Sequence, residues 1–167
     1  MFSIREYRID DAEKIINWIT DEKSFRQWSA DKYESYPPNP QEMIMFYDSM
    51  KPQDARAFIF CDDGKEIGHF LLRPLADESI KTVRIGFIIV DSSIRGKGYG
   101  RKMLEFAIDF ACEQYLVSRI TLGVFENNPK ALKCYESVGF RQWGETSCTV
   151  GDEVWKCLEM EYVQKNI

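Results

Sequence analysis

Apolar positions along this chain change their period several times, and each change marks an element. Residues 2–9 alternate as a strand does, with Arg5 and Arg8 as polar interruptions. Ile15, Ile16, Trp18 and Ile19 then share one helical face behind Asp10 or Asp11, either of which suits an N-cap. Residues 21–31, with Phe25 and Trp28, read as a second short helix, and Tyr36-Pro37-Pro38-Asn39-Pro40 breaks any helix there. Met43, Ile44, Phe46 and Tyr47 place a third helix over 41–50. Strands at 55–61 and 65–73 flank the turn Asp62-Asp63-Gly64, and 80–90 continues the meander. Gly86 lies inside that third strand, where glycine marks a bulge or a close backbone approach.

The period returns to helical over 98–115, where Tyr99, Met103, Phe106, Ala107, Phe110 and Ala111 form one face. Residues 119–125 read as a strand. Asn128 is a good N-cap with Pro129 at the first helical position, and Ala131, Leu132, Tyr135 and Val138 carry that helix to Gly139. Residues 140–150 and 153–163 close the chain as a hairpin about Gly151-Asp152. This order predicts an α+β fold with a mixed sheet of about seven strands flanked by helices, and a right-handed crossover through the 98–115 helix. No repeat, low-complexity tract or linker divides residues 1–167, so one domain is expected.

Composition narrows the function classes. A hydrophobic share of 44% suffices for a core, and a net charge of −5 argues against a general nucleic-acid binder. No apolar run reaches the length of a membrane span, and residues 1–6 carry no secretory h-region, so a cytoplasmic protein without membrane or nucleic-acid partners is expected. The five cysteines are odd in number and widely spaced, which suits reduced thiols. His69 is the one histidine and sits in a strand beside Gly68. It has no Cys/His cluster around it to hold a metal and is poorly placed for a Ser-His-Asp centre.

Against that acidic background, four cations fall within residues 95–102. The strand ending Ile88-Ile89-Val90-Asp91 leads through Ser92-Ser93-Ile94 into Arg95-Gly96-Lys97-Gly98-Tyr99-Gly100-Arg101-Lys102 at a helix start. Glycines admit close approach, free N–H groups face outward and the helix dipole favours an anion, so the loop suits a phosphate-bearing ligand. The glycines are spaced two and two, which misplaces the third glycine of a dinucleotide fingerprint. No hydroxyl follows Gly96-Lys97, as a P-loop requires.

Arg95-x-x-Gly98-x-Gly100 after this strand resembles the acyl-CoA loop of the GNAT superfamily of N-acyltransferases. Val124-Phe125-Glu126-Asn127-Asn128-Pro129-Lys130-Ala131-Leu132-Lys133-Cys134-Tyr135-Glu136-Ser137-Val138-Gly139-Phe140 resembles a second block of that family. The resemblance implies an acetyl-CoA-dependent N-acetyltransferase acting by direct transfer to a primary amine, without a metal. The cofactor-binding set it implies is Ile88, Ile89 and Val90 by their backbone, then Arg95, Gly96, Lys97, Gly98, Tyr99, Gly100 and Arg101, with Asn128 and Ala131. Asn128 is also the helix cap, and Asn127 beside it leaves a one-residue ambiguity. Tyr135 matches the tyrosine that protonates the departing thiolate, although a helical tyrosine also fits a core. Cys134 suggests an acyl-cysteine route, but packing suits it better.

Many members of the family use a glutamate on the strand before the loop, and here that strand carries no acid, so the base is unassigned between a water chain and an acid elsewhere, with Glu22, Glu34 and Glu145 unranked. The first helices and the last hairpin are expected to build the acceptor site. Trp18, Phe25, Trp28, Tyr33, Tyr36, Phe46 and Tyr47 lie there with Asp21, Glu22, Asp31 and Glu34. Core and solvated face account for these residues better than a cation pocket does. The acceptor is left open between a small-molecule amine and a protein or peptide amine, and dimers are common in the family. The rival reading is a non-catalytic acyl-CoA sensor or partner module.

Overall fold

The computed structural model of the chain describes residues 1–76 and 80–165. In order these form β1 (Phe2–Glu6), α1 (Asp11–Asn17), α2 (Glu22–Ser29), α3 (Pro40–Met50), β2 (Arg56–Asp62), β3 (Lys65–Leu75), β4 (Thr82–Val90), α4 (Tyr99–Gln114), β5 (Arg119–Phe125), α5 (Pro129–Ser137), β6 (Arg141–Val150) and β7 (Glu153–Val163). The strands make one sheet in the order β1-β2-β3-β4-β5-β7-β6. Among the described residues β4 and β5 are its one parallel pair, joined through α4. The final hairpin lays β7 rather than β6 against β5.

Strand alternation divides the apolar residues between two cores. Phe58, Phe70, Leu72, Ile85, Ile120 and Leu122 meet Met103, Leu104 and Ala107 of α4 on one face. Ile59, Leu71 and Ile89 meet Ile15, Phe25, Met43 and Tyr47 of α1–α3 on the other. Each buried Leu, Ile, Phe or Met among them contributes about 1.5–3 kcal/mol by leaving water.

Three local expectations are corrected. β1 stops at Glu6 rather than at residue 9. Asp10 holds the cap position of α1 but makes no side-chain cap bond. Asp11 is instead buried, accepting from both Arg5 Nη atoms at 2.8 Å and from the Arg8 main-chain N–H at 2.7 Å. Arg5 thus anchors β1 to α1 rather than weakening the strand. The bulge expected at Gly86 falls one residue on. β3 and β4 lose register between His69/Leu71 and Ile89/Gly86, and Phe87 takes φ 52°. A non-glycine residue in that region costs about 1–3 kcal/mol and needs outside support. The Phe87 ring has it, against Trp28, Tyr33, Phe46 and Tyr47 with centroids 5.4–6.0 Å away.

His69 is fully buried behind the bulge, opposite Ile89. Its Nδ1–H donates to the Phe58 carbonyl at 2.9 Å, and its Nε2 accepts from the Tyr47 hydroxyl at 2.6 Å. Burial pushes its pKa from 6.5 down to about 4. The unfolded chain therefore takes up a proton below about pH 6.5 that the folded chain refuses. Stability is full above that pH and falls between about pH 6.5 and about pH 4, by about 3 kcal/mol in total. Urea midpoints followed across this window are expected to show the slope in the wild type and to lose it in His69→Gln. Equal slopes in the two proteins would exclude His69 as the source.

Candidate functional site

Parallel pairing between β4 and β5 holds only from Thr82 to Arg84 on one side and from Arg119 to Thr121 on the other. Beyond it the strands run on, to Val90 and Phe125, without pairing. The opening is a cleft of about 940 Å³, within the range of small-ligand sites. Ile88, Ile89, Val90, Arg95, Gly96, Gly98, Tyr99, Gly100, Arg101, Asn128, Ala131 and Tyr135 all line it, and Lys97 does not. Two blocks about 30 residues apart in sequence are thereby brought to one space, as a crossover places them. A second cavity of about 340 Å³, lined by Tyr7, Arg8, Tyr47 and Asp48 among others, contains none of these residues.

The loop at the mouth is shaped by its glycines. Gly96 and Gly98 have φ 82° and 81°, which side-chain-bearing residues rarely adopt, and Gly98 caps α4 with no side-chain bond of its own. The first N–H groups of α4 are therefore left for a ligand. Asp91 folds the approach by accepting from Ser93 N–H at 2.9 Å and Ser93 Oγ–H at 2.8 Å. Arg95 Nε donates to the Val90 carbonyl at 3.2 Å, fixing the loop to the end of β4. Arg101 and Lys102 pair with Glu105 at 3.3 and 2.9 Å on the exposed side of α4.

Across the cleft, Asn128 Oδ1 accepts from the Ala131 N–H at 3.4 Å and starts α5. Asn127 is engaged differently: Gln27 Nε2 donates to its main-chain O and to its Oδ1, both at 3.1 Å. This contact ties α2 to the β5–α5 turn. Tyr135 is buried in the second turn of α5, and its hydroxyl has no hydrogen bond among the described residues. Burial, with Cys134 beside it, pushes the phenol well above its ordinary pKa, so it stays protonated at neutral pH. Burial likewise pushes the Cys134 thiol up, away from the thiolate a covalent route needs.

Lys23, Ser24, Gln27 and Trp28 of α2, and Lys130 and Lys133 of α5, also line the cleft, and no sequence motif gives them a role there. Their signal is weak, because helical period names a face but not what the face meets. Of the acceptor-side aromatics, Trp28 reaches the cleft; Trp18, Phe25, Tyr33 and Tyr47 are core. Asp21 caps α2 through Ser24, and none of Glu22, Glu34 and Glu145 lines the cleft. Among the described residues no group of three or more metal-ligating side chains occurs, and no helix is long and apolar enough to cross a membrane.

A splayed parallel pair, a glycine loop feeding a helix N-terminus and a buried tyrosine opposite define an anion-receiving cleft that runs into the sheet. Residues 14–140 match the Acetyltransferase (GNAT) family. The chain belongs to that family. It is 40% identical over 76 residues to the spermine/spermidine N(1)-acetyltransferase of Bacillus subtilis (strain 168), covering 44% of this chain and 50% of that one. It is 37% identical over 99 residues to the N-acetylaspartate synthetase of Homo sapiens, covering 57% of this chain and 30% of that one. The chain thus spans half or less of the length of these curated relatives. In fold it is similar to a spermidine N-acetyltransferase from Vibrio cholerae solved with CoA and spermine. The TM-score is 0.79 at 22% identity, over 98% of this chain and 95% of that one.

Proposed function

We propose that the chain is an acetyl-CoA-dependent N-acetyltransferase, and that residues 1–167 form one such domain working in the cytoplasm. The observation that carries this reading is the cleft, in which the Gly96/Gly98 loop, the unpaired edge of β4 and Tyr135 line one continuous space. N–H groups of residues 95–100 and the α4 dipole hold the pyrophosphate, with Arg95 and Arg101 adding charge. Backbone groups of Ile88, Ile89 and Val90 pair with the amides of the pantetheine arm as an added strand would. An N–H beside the Phe87 bulge faces the thioester oxygen and stabilises it as the amine attacks; one such donor is worth about 10²–10³ in rate elsewhere. Tyr135, kept in its acid form by burial, donates its proton to the departing thiolate. Asn128 and Ala131 begin the helix that presents it.

Thiol release from acetyl-CoA over a panel of polyamines, amino acids, peptide N-termini and aminoglycosides tests the reading. At least one amine is expected to give saturable release matched by N-acetylated product. CoA binding without release for any amine would instead make the chain an acyl-CoA sensor.

A further inference from the structure

α2 covers the cleft with one of its faces. Lys23, Ser24, Gln27 and Trp28 all line it, and residues three and four apart share one side of a helix. This cover is fixed at two points. Gln27 reaches the β5–α5 turn through its two hydrogen bonds to Asn127. Trp28 packs edge-to-face with Phe87, ring centroids 5.4 Å apart. Phe87 also lines the cleft, so the indole stands at the β4 bulge.

The indole is held firmly there. Its centroid lies 6.5 Å from that of Phe25 and 5.8 Å from that of Tyr33, and both of those rings are buried. A ring bounded by three others does not swing aside without disturbing the core. Its Nε1–H is buried and has no hydrogen bond among the described residues. The cleft therefore meets ring carbons of Trp28 rather than its donor. A fixed apolar surface of this kind suits a short hydrocarbon group and yields little to a longer one.

In the acetyltransferase reading, the thioester oxygen faces an N–H beside the Phe87 bulge. The acyl methyl is bonded to the same carbonyl carbon and so falls beside the bulge too. We propose that the Trp28 indole is the wall against which that methyl ends, and that it restricts the donor to acetyl-CoA. This inference rests on the acetyltransferase reading and names what selects the acyl group at the same site.

The test measures thiol release from acetyl-, propionyl- and butyryl-CoA, with the amine of the panel above that turns over fastest. In the wild type, kcat/KM is expected to fall about 10- to 200-fold with the first added methylene and further with the second, as one methylene too many does in a fitted apolar pocket. Trp28→Ala is expected to raise transfer from butyryl-CoA relative to acetyl-CoA by about 10-fold or more, and Trp28→Phe to fall between the two. A general loss of packing or of CoA binding lowers all three donors together and leaves their ratios alone. A thermal melt establishes that each variant is folded, and Trp28→Phe, which keeps a ring against Phe87, decides the question if Trp28→Ala does not fold. Equal transfer from acetyl- and butyryl-CoA by the wild type would overturn the inference and leave the acetyltransferase reading standing. So would unchanged donor ratios in the folded variants, including the case in which only the acceptor KM rises, which would make the indole a cation–π contact for the amine. CoA binding without release from any acyl-CoA would overturn both.

Discussion

Tyr135→Phe is expected to lower kcat by about 10²–10⁴, the range over which a positioned proton donor contributes, while CoA affinity changes little. The split follows from where the side chain sits. Tyr135 belongs to the core that includes α4, which phenylalanine preserves, and it also lines the cleft, its hydroxyl having no hydrogen bond among the described residues. Removing that hydroxyl therefore deletes a proton without deleting much packing. Steady-state kinetics with a matched binding titration separate the two quantities. Unchanged kcat would leave Tyr135 a core residue only, and equal losses in kcat and affinity would make it a binding group.

The second large effect is on stability. Arg84→Ala is expected to cost about 2–4 kcal/mol, because it strands the Glu159 carboxylate, whose side chain is 12% exposed, without its cation. For a chain of this length that is a fall in Tm of about 5–15 °C. Arg84 reaches Glu159 by crossing β5 at Gly123, where a Cβ would stand 2.8 Å from Arg84 Nη2 and 2.9 Å from Cys157 Sγ. The bridge lies just beyond the last β4–β5 pair, Arg84 with Thr121, and so pins the point from which the cleft opens. Gly123→Ala is expected to destabilise by about 1–3 kcal/mol by pushing this bridge aside. Since both changes act on the same bridge, the double variant is expected to lose about 1 kcal/mol less than their sum. Strict additivity in denaturant unfolding would show that Arg84 does not depend on Gly123.

What can be read from sequence follows the range of the interactions. β5 and β7 occupy the residues expected from their alternation, and Asn128 caps α5 because cap, proline and helix are contiguous. Asp11 looks like a cap in sequence because its partner, Arg5, belongs to another element, and no local pattern distinguishes a cap from a buried anchor. The positive φ at Phe87 points in sequence to its glycine neighbour, because only a ring of distant aromatics makes a phenylalanine tolerable there. The loop residues that line the cleft are legible because loop and helix start are consecutive in the chain. The Arg84–Glu159 bridge is not, because its partners are 75 residues apart and only the strand order of the sheet brings them together.

The most direct measurement is a crystal structure of the protein with CoA. The pyrophosphate is expected within hydrogen-bonding distance of the main-chain N–H groups of residues 95–100, the pantetheine arm along Ile88 to Val90, and the thiol beside the Tyr135 hydroxyl. CoA bound away from the β4–β5 cleft, or a thiol end remote from Tyr135, would contradict the account.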